Sequence, residues 1–456
     1  MAQQSKGRRA VVAKKNNNHR TWLIALPVLA FLIKMIVMAN TVKGGWLGAD
    51  GENYLSAVDG LMKDGFLSKV RNLHYWPAGY SLFVWPLVKI SVSNFLYLLS
   101  IIQGALFGYA TYFFTKQLLS LRIAFLATAA SLIISFNPTL SLSSNVVGYE
   151  TPVAALLLIS IGFMIKDRVE NPDDFSKKYA ALSALALGIS CFFQPRNILF
   201  SVILFVVYVL TIVGKKAKVQ FAVISLVVLM FFPAVMVGRN IAANNLATLS
   251  TNLGTTMFIG IGDGATGGYN GKYNGVPCPV ADKGDEAQVD SAKVKCAISW
   301  YIHNPGKTIV LAVKKSVFYW SPWYGPEANG TMARNPWLKI DPVKTGIKTQ
   351  QNYDFIYGGF GKTISWLWII GQLVLLFSGL IWLWKMGGNE KLLAKLAGTP
   401  VLLGWLVSMG TIGDHRFRLP QMGLSLFLQV VGLFGLRKRL SVATIAPALA
   451  ASSKSR

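Results

Sequence analysis

The chain has 456 residues, of which 53% are hydrophobic and only 14% charged, too little charge to cover the surface of a soluble protein of this size. Its formal net charge of +26 lies in short runs between apolar blocks, among them Lys6-Gly7-Arg8-Arg9, Lys14-Lys15, Lys215-Lys216-Ala217-Lys218 and Arg437-Lys438-Arg439. None is interleaved with aromatics. This excludes a base-stacking nucleic-acid surface and matches the cytoplasmic flanks of membrane spans.

In chain order, residues 1–21 are basic, Asn-rich and free of acids, and they read as a disordered cytoplasmic tail. The apolar stretch Trp22 to Ala39 is long for a signal-peptide core and has no evident cleavage site behind it, so it is the first span, with Lys34 snorkelling or facing the bundle. A first external loop, 41–93, follows. Its apolar piece Pro77 to Val92 is short and broken by Pro86, and reads as interfacial or re-entrant. Further spans are predicted at about 94–119, 123–138, 149–165, 179–193, 197–213 and 219–237, closing an N-terminal membrane domain, 22–238. An extracytoplasmic region, 239–362, comes next, with an amphipathic helical pattern over Ala297 to Trp320 interrupted at Asn304-Pro305-Gly306. C-terminal membrane helices, 363–440, with spans at about 363–385, 399–412 and 419–436, lead to a cytoplasmic tail, 441–456. The expected fold is an all-α multi-pass membrane protein of about ten transmembrane helices with both termini cytoplasmic, interfacial helices in the first loop and a large external insert.

Cys191 falls within a span and reads as a small core residue, whereas Cys278 and Cys296 share the external stretch, where a bridge between them is hypothesised. No Cys/His spacing for a metal is present. Asn329-Gly330-Thr331 would be a glycosylation acceptor if this face were an endoplasmic reticulum lumen.

This topology leaves Asp50, Glu52, Asp59, His74, Glu150, Gln194, Arg196, Arg239, Asp414, His415, Arg416 and Arg418 at the outer ends of spans. Each has a structural reading. Asp50 suits an N-cap, Glu150 a helix N-terminus, the arginines headgroup anchors, and His74 an aromatic belt with Tyr75 and Trp76. Their gathering at one depth from five segments favours a functional site, because ionisable groups near membrane depth are costly. A carboxylate that takes a proton from a hydroxyl, facing guanidinium groups that hold a phosphate, suits transfer chemistry on a phosphorylated lipid.

Gly48-Ala49-Asp50-Gly51-Glu52-Asn53-Tyr54, with Ala57 and Lys63-Asp64-Gly65, resembles the first external loop of GT-C superfamily glycosyltransferases, which include protein mannosyltransferases and lipid A aminoarabinose transferases. Tyr75-Trp76-Pro77-Ala78-Gly79-Tyr80, Gly238-Arg239-Asn240, Tyr301-Ile302-His303-Asn304-Pro305-Gly306 and Asp414-His415-Arg416-Phe417-Arg418-Leu419-Pro420 are similar to later segments in that order. The resemblance implies inverting transfer of a sugar from a polyprenyl-phosphate donor to a hydroxyl of a lipid, glycan or protein acceptor at the outer face of a plasma (inner) membrane. It implies Asp50 as the catalytic carboxylate and Arg196, Arg239 and Arg416 as phosphate ligands. Glu52, Tyr54, His74, Glu150 and Arg418 complete the candidate substrate-binding set. Gly51 separates the two acids that are tandem in many relatives. No cofactor is required by this chemistry, although Asp50 with another external acid could bind a divalent cation. The rival readings are a polysaccharide polymerase or ligase and a lipid or glycan transporter or flippase, the last expected to show midplane broken helices and paired repeats.

Overall fold

The computed structural model describes residues 2–41, 50–269, 275–278, 284–322 and 358–453, and side chains within 19–40, 50–269, 275–278, 284–322 and 358–437. Gly48 and Ala49 of the first-loop motif and the Asn329-Gly330-Thr331 triplet lie outside the described residues.

Among the described residues every regular element is helical. Helix α1 (Ala2–Thr41) carries the apolar window His19–Asn40 and continues back through the basic segment read above as a disordered tail. The first loop folds into α2 (Gly51–Asp64), α3 (Asn72–Tyr75) and α4 (Ala78–Ile90). At 13 residues, or about 20 Å, α4 is too short to cross, as predicted for this piece. Helix α5 (Phe95–Leu118) is a full-length span. The third expected span divides into α6 (Ala127–Phe136) and α7 (Pro138–Leu142), which meet at a 54° bend. Asn137 accepts a hydrogen bond from the Leu140 N–H and Pro138 opens the next helix, so the break is a built helix start.

Helices α8 (Glu150–Glu170), α9 (Lys177–Phe193), α10 (Asn197–Val209) and α11 (Lys215–Asn244) come next. The polar stretch holds α12 (Leu253–Ile259), α13 (Glu286–His303) and α14 (Pro305–Trp320). The chain closes with α15 (Gly359–Met386), α16 (Gly388–Gly410) and α17 (His415–Ser453).

Six of the described helices are long and apolar enough to cross a membrane, or seven if the bent pair is one span. The described residues thus show a multi-pass, all-helical architecture with six to seven candidate spans, and do not show the predicted count of about ten. The physical reasons are local. Helix α9 has 17 residues and α10 only 13, short of the roughly 20 that a hydrocarbon core demands, and α8 carries Glu150 at one end and Lys166, Asp167 and Arg168 at the other.

Helix α17 is the central helix: 78% of its span is buried inside the bundle, against 28% for that of α11, whose side chains face outward. It packs on α8, α15 and α16. Small residues permit this, since a Cβ on Gly379 would collide with the Leu428 carbonyl and one on Gly432 with that of Leu375, bringing α15 and α17 backbone to backbone. The Ser160 and Ser183 hydroxyls, 2.7 Å apart, join α8 to α9.

Outside the bundle, Cys278 and Cys296 are bridged, and Asp285 starts α13 through a reciprocal capping box with Gln288. The predicted interruption at Asn304-Pro305 is where α13 ends and α14 begins. Lys315 of α14 is fully buried and donates to the Met409 carbonyl at 3.1 Å and the Tyr301 hydroxyl at 3.0 Å, closing the end of α16. Gly413 N–H donates to the Gly267 carbonyl at 2.8 Å, so the external region fixes the turn from which α17 starts.

Candidate active site

Four helix starts supply the site. Asp50 immediately precedes α2, Glu150 opens α8, Arg196 precedes α10, and Arg416 is the second residue of α17. At such ends the unpaired N–H groups and the helix dipole favour negative charge.

Arg416 is the hub. Its Nη1 donates to Asp50 Oδ2 and its Nε to Glu150 Oε1, so two carboxylates from segments far apart in sequence share one guanidinium. Glu150 and Arg416 are buried, and the Asp50 side chain is part-buried and more open, 13% exposed against 8% and 7%. Asp50 makes no side-chain cap bond to α2, and its Oδ2 accepts from Arg416 instead. Capping of α17 falls instead to Asp414, whose Oδ1 accepts from the Arg416 N–H at 2.9 Å.

Tyr149 sits beneath this trio. Its ring lies 5.3 Å from the Arg416 guanidinium, and its hydroxyl accepts from Gln194 Nε2 at 2.7 Å and from Arg196 Nη2 at 3.3 Å. Arg196 in turn stacks on Phe417, 4.2 Å from the ring centroid. Among the described residues its other N–H groups have no hydrogen-bond partner, which leaves a half-buried guanidinium able to take a ligand. Tyr54 packs edge-on against Tyr80 and Tyr149, and its buried hydroxyl has no hydrogen-bond partner among the described residues. Burial above all raises the phenol pKa of Tyr54, so it stays neutral.

The remaining sequence candidates lie elsewhere. Arg239 is a clamp: its donors go to the carbonyls of Phe66, Ser68 and Leu73 and to Asn240 Oδ1, all within the protein. His74 faces Glu286 of α13, with Nε2 at 3.1 Å from Oε2, and Arg71 Nε donates to the other oxygen at 2.7 Å. Arg239 and His74 thus fasten the first loop and do not touch the Arg416 trio. Arg418 donates to the Trp320 carbonyl at 3.1 Å and to Gln372 Oε1 at 2.9 Å, tying α17 to α14 and α15. Glu52 is exposed with no ion-pair partner among the described residues.

Sequence reasoning missed Tyr149. Its signal was its place directly before Glu150 at a span start, where an aromatic passes for an interface anchor. Among the described residues no group of three or more His, Cys, Asp or Glu side chains could hold a metal, and the two acids that meet are joined by Arg416.

No family model matches the chain, and no curated protein does. Among solved structures it is similar to the oligosaccharyltransferase of Archaeoglobus fulgidus in the apo form, at 12% identity over 93% of this chain and 52% of that one, with a TM-score of 0.48. The archaeal oligosaccharyltransferase AglB from the same organism, in complex with an inhibitory peptide and a dolichol-phosphate, matches at 12% identity over 94% and 52%, with a TM-score of 0.46. ArnT from Cupriavidus metallidurans in the apo state matches at 13% identity over 92% and 79%, with a TM-score of 0.37. These are GT-C membrane glycosyltransferases. The chain spans about half the length of the archaeal enzymes. TM-scores below 0.5 leave the chemistry to be read from the chain's own residues.

Proposed function

We propose that this protein transfers a sugar from a polyprenyl-phosphate donor to a hydroxyl of a lipid, glycan or protein acceptor at the extracytoplasmic face of a plasma (inner) membrane. The observation that carries this reading is the pair of carboxylates, Asp50 and Glu150, held on Arg416 beside the open guanidinium of Arg196.

Sidedness comes from charge. The opposite end of the bundle carries Lys116, Arg122, Lys215, Lys216, Lys218, Lys385 and Arg437, the pattern of a cytoplasmic face. In this orientation the site faces away from the cytoplasm and both termini are cytoplasmic. Lipid-exposed flanks, such as the outward side of α11, give a polyprenyl chain a lateral approach.

In the chemical step the acceptor oxygen attacks the anomeric carbon, its proton passes to the Asp50 carboxylate, and the carbon–oxygen bond to the phosphate breaks with both electrons remaining on the phosphate. One displacement inverts the anomeric centre. Asp50, the more open acid, supplies roughly 10²–10⁴-fold as a positioned base. Arg196, with the N-terminal dipoles of α8 and α10, holds the departing phosphate charge. Arg416 holds both acids in orientation through its Nη1 and Nε, and the phenol of Tyr54 is placed to donate to a sugar hydroxyl.

The test is sugar transfer by purified protein in lipid, across a panel of polyprenyl-phosphate sugars, with Asp50→Asn beside the unmodified chain. Turnover of one donor that is lost in a folded Asp50→Asn variant supports the reading. Equal transfer by both proteins removes Asp50 from the chemistry, and movement of an intact donor across the membrane without transfer makes the protein a transporter.

A further inference from the structure

Lys34 lies inside the first span, 3% exposed, and has no carboxylate partner among the described residues. A buried cation with no counter-ion is costly at membrane depth, so its bonds deserve following. Its ammonium donates to the Ser100 carbonyl at 2.6 Å and to the Ser144 hydroxyl at 2.8 Å. Gly104 makes the room, since a Cβ there would collide with the Lys34 ammonium. The adjoining cavity, lined also by Ser135, Ser141 and Ser144, measures about 10 Å³, the space of a water and far too small for a sugar or a phosphate. Lys34 therefore acts on protein.

What it acts on is the run Ser144 to Gly148, the end of a 3-10 turn (Ser143–Asn145) and the irregular residues after it, which delivers Tyr149 and Glu150 to the candidate site. Backbone that leaves a helix within a membrane bundle needs its polar groups satisfied from inside. Here side chains of three helices do so. Gln103 Nε2 donates to the carbonyls of Ser144 and Val146, both at 3.0 Å. Asn145 Nδ2 donates to the Lys34 carbonyl at 3.3 Å, and the Ser100 hydroxyl donates to Asn145 Oδ1. The Tyr80 hydroxyl donates to Gln103 Oε1 at 3.1 Å and accepts from the Gly148 N–H at 2.8 Å. Tyr80, Gln103 and Lys34 are all buried. Tyr80 is the last link, because the Gly148 it holds stands one residue before Tyr149 and two before Glu150.

We propose that Tyr80 and Gln103, anchored by Lys34, are positioning residues that set Glu150 and Tyr149 against Arg416. This rests on the transfer function above for its consequence in catalysis, but not for its geometry. Removal of the Tyr80 hydroxyl leaves the Gly148 N–H and the Gln103 carbonyl buried without partners, and the segment relieves this by shifting, which carries Glu150 off the guanidinium. Phenylalanine keeps the ring contacts with Tyr54 and Phe193, so the fold survives.

The experiment is carbodiimide labelling of carboxylates in the full chain reconstituted in lipid, read by peptide mass spectrometry, comparing the unmodified protein with Tyr80→Phe and Gln103→Leu. Asp167, buried at the other end of the bundle, is the internal control. Labelling of Glu150 is expected to rise about tenfold in both variants while Asp167 stays protected, and kcat is expected to fall about tenfold with KM unchanged. Unchanged labelling of Glu150, or an equal rise at Asp167, overturns the proposal, as does a change confined to KM. Should Gln103→Leu fail to fold, the near-isosteric Tyr80→Phe decides alone. If the unmodified chain transfers no sugar, the assigned function fails while the labelling still decides the network.

Discussion

The two ends of the helical bundle both bury acidic side chains, yet they treat them differently. At the lysine-rich end, Asp167 is 1% exposed and accepts from the Tyr208 hydroxyl at 2.6 Å, the Ser176 N–H at 2.8 Å and Asn171 Nδ2 at 2.8 Å. Its neighbour in that layer, Glu390, is paired with Arg122 at 2.7 Å. These are closed sets that fasten α8 to α9 and α10, and the 121–124 turn to α16. At the other end, Asp50 and Glu150 share Arg416, and around them the Tyr54 hydroxyl and most of the Arg196 donors have no partner among the described residues. Burial of a charge is thus no sign of function in itself. What differs is the company of each acid: Asp167 and Glu390 join neighbouring helices, whereas Asp50 and Glu150 meet on one guanidinium.

The sharpest way to break this comparison is Asp50→Asn, expected to cost roughly 10²–10⁴-fold in transfer rate with the fold intact, read by donor turnover and thermal unfolding. Arg416→Met should follow, since it strands two carboxylates. Loss of about 3–5 kcal/mol of stability is expected, and a stability equal to that of the unmodified chain would show the trio to be dispensable for folding. Arg196→Gln is expected to keep the fold and to weaken donor use about 10²-fold in kcat/KM, measured with donor varied and acceptor fixed. Asp167→Asn tests the other end. It should cost about 1–3 kcal/mol through a lost acceptor and leave turnover per folded molecule unchanged, and a fall in turnover would make that end part of the site.

The smallest effect is expected at His74. Burial, ahead of the opposing pull of Glu286, lowers its pKa, so the folded chain prefers the neutral ring. Below the ordinary value of 6.5 the unfolded chain takes up a proton that the folded chain resists, and this share of stability falls as pH drops through that value. Acidification from about pH 7.5 to about 5.5 should lower the unfolding midpoint, and His74→Gln should flatten the slope. A steeper slope in the variant would place the titrating group elsewhere.

Composition and the blocks of apolar residues determined by themselves that this is an all-helical, multi-pass membrane protein, because a span must satisfy its own backbone and carries an unbroken apolar run. The same reading found the break at Asn304-Pro305 and hypothesised the Cys278–Cys296 bridge, since proline, helix caps and paired cysteines act locally. It also assembled Asp50, Glu150, Arg196 and Arg416 among its candidates, because charge near the membrane is rare enough to stand out. What it could not decide was which arginine does what. Arg239, Arg416 and Arg418 look alike as letters at span ends. Only the packing of the first loop against α11 gives Arg239 three carbonyls, that of α17 against α14 and α15 gives Arg418 a carbonyl and an amide, and that of α17 against α2 and α8 gives Arg416 two carboxylates. Span number likewise depended on where Asn137, Pro138 and the short α9 and α10 end their helices, which hydropathy averages away. Local chemistry is written in neighbours along the chain, whereas a guanidinium takes its role from partners more than 200 residues distant, and those are set by tertiary structure alone.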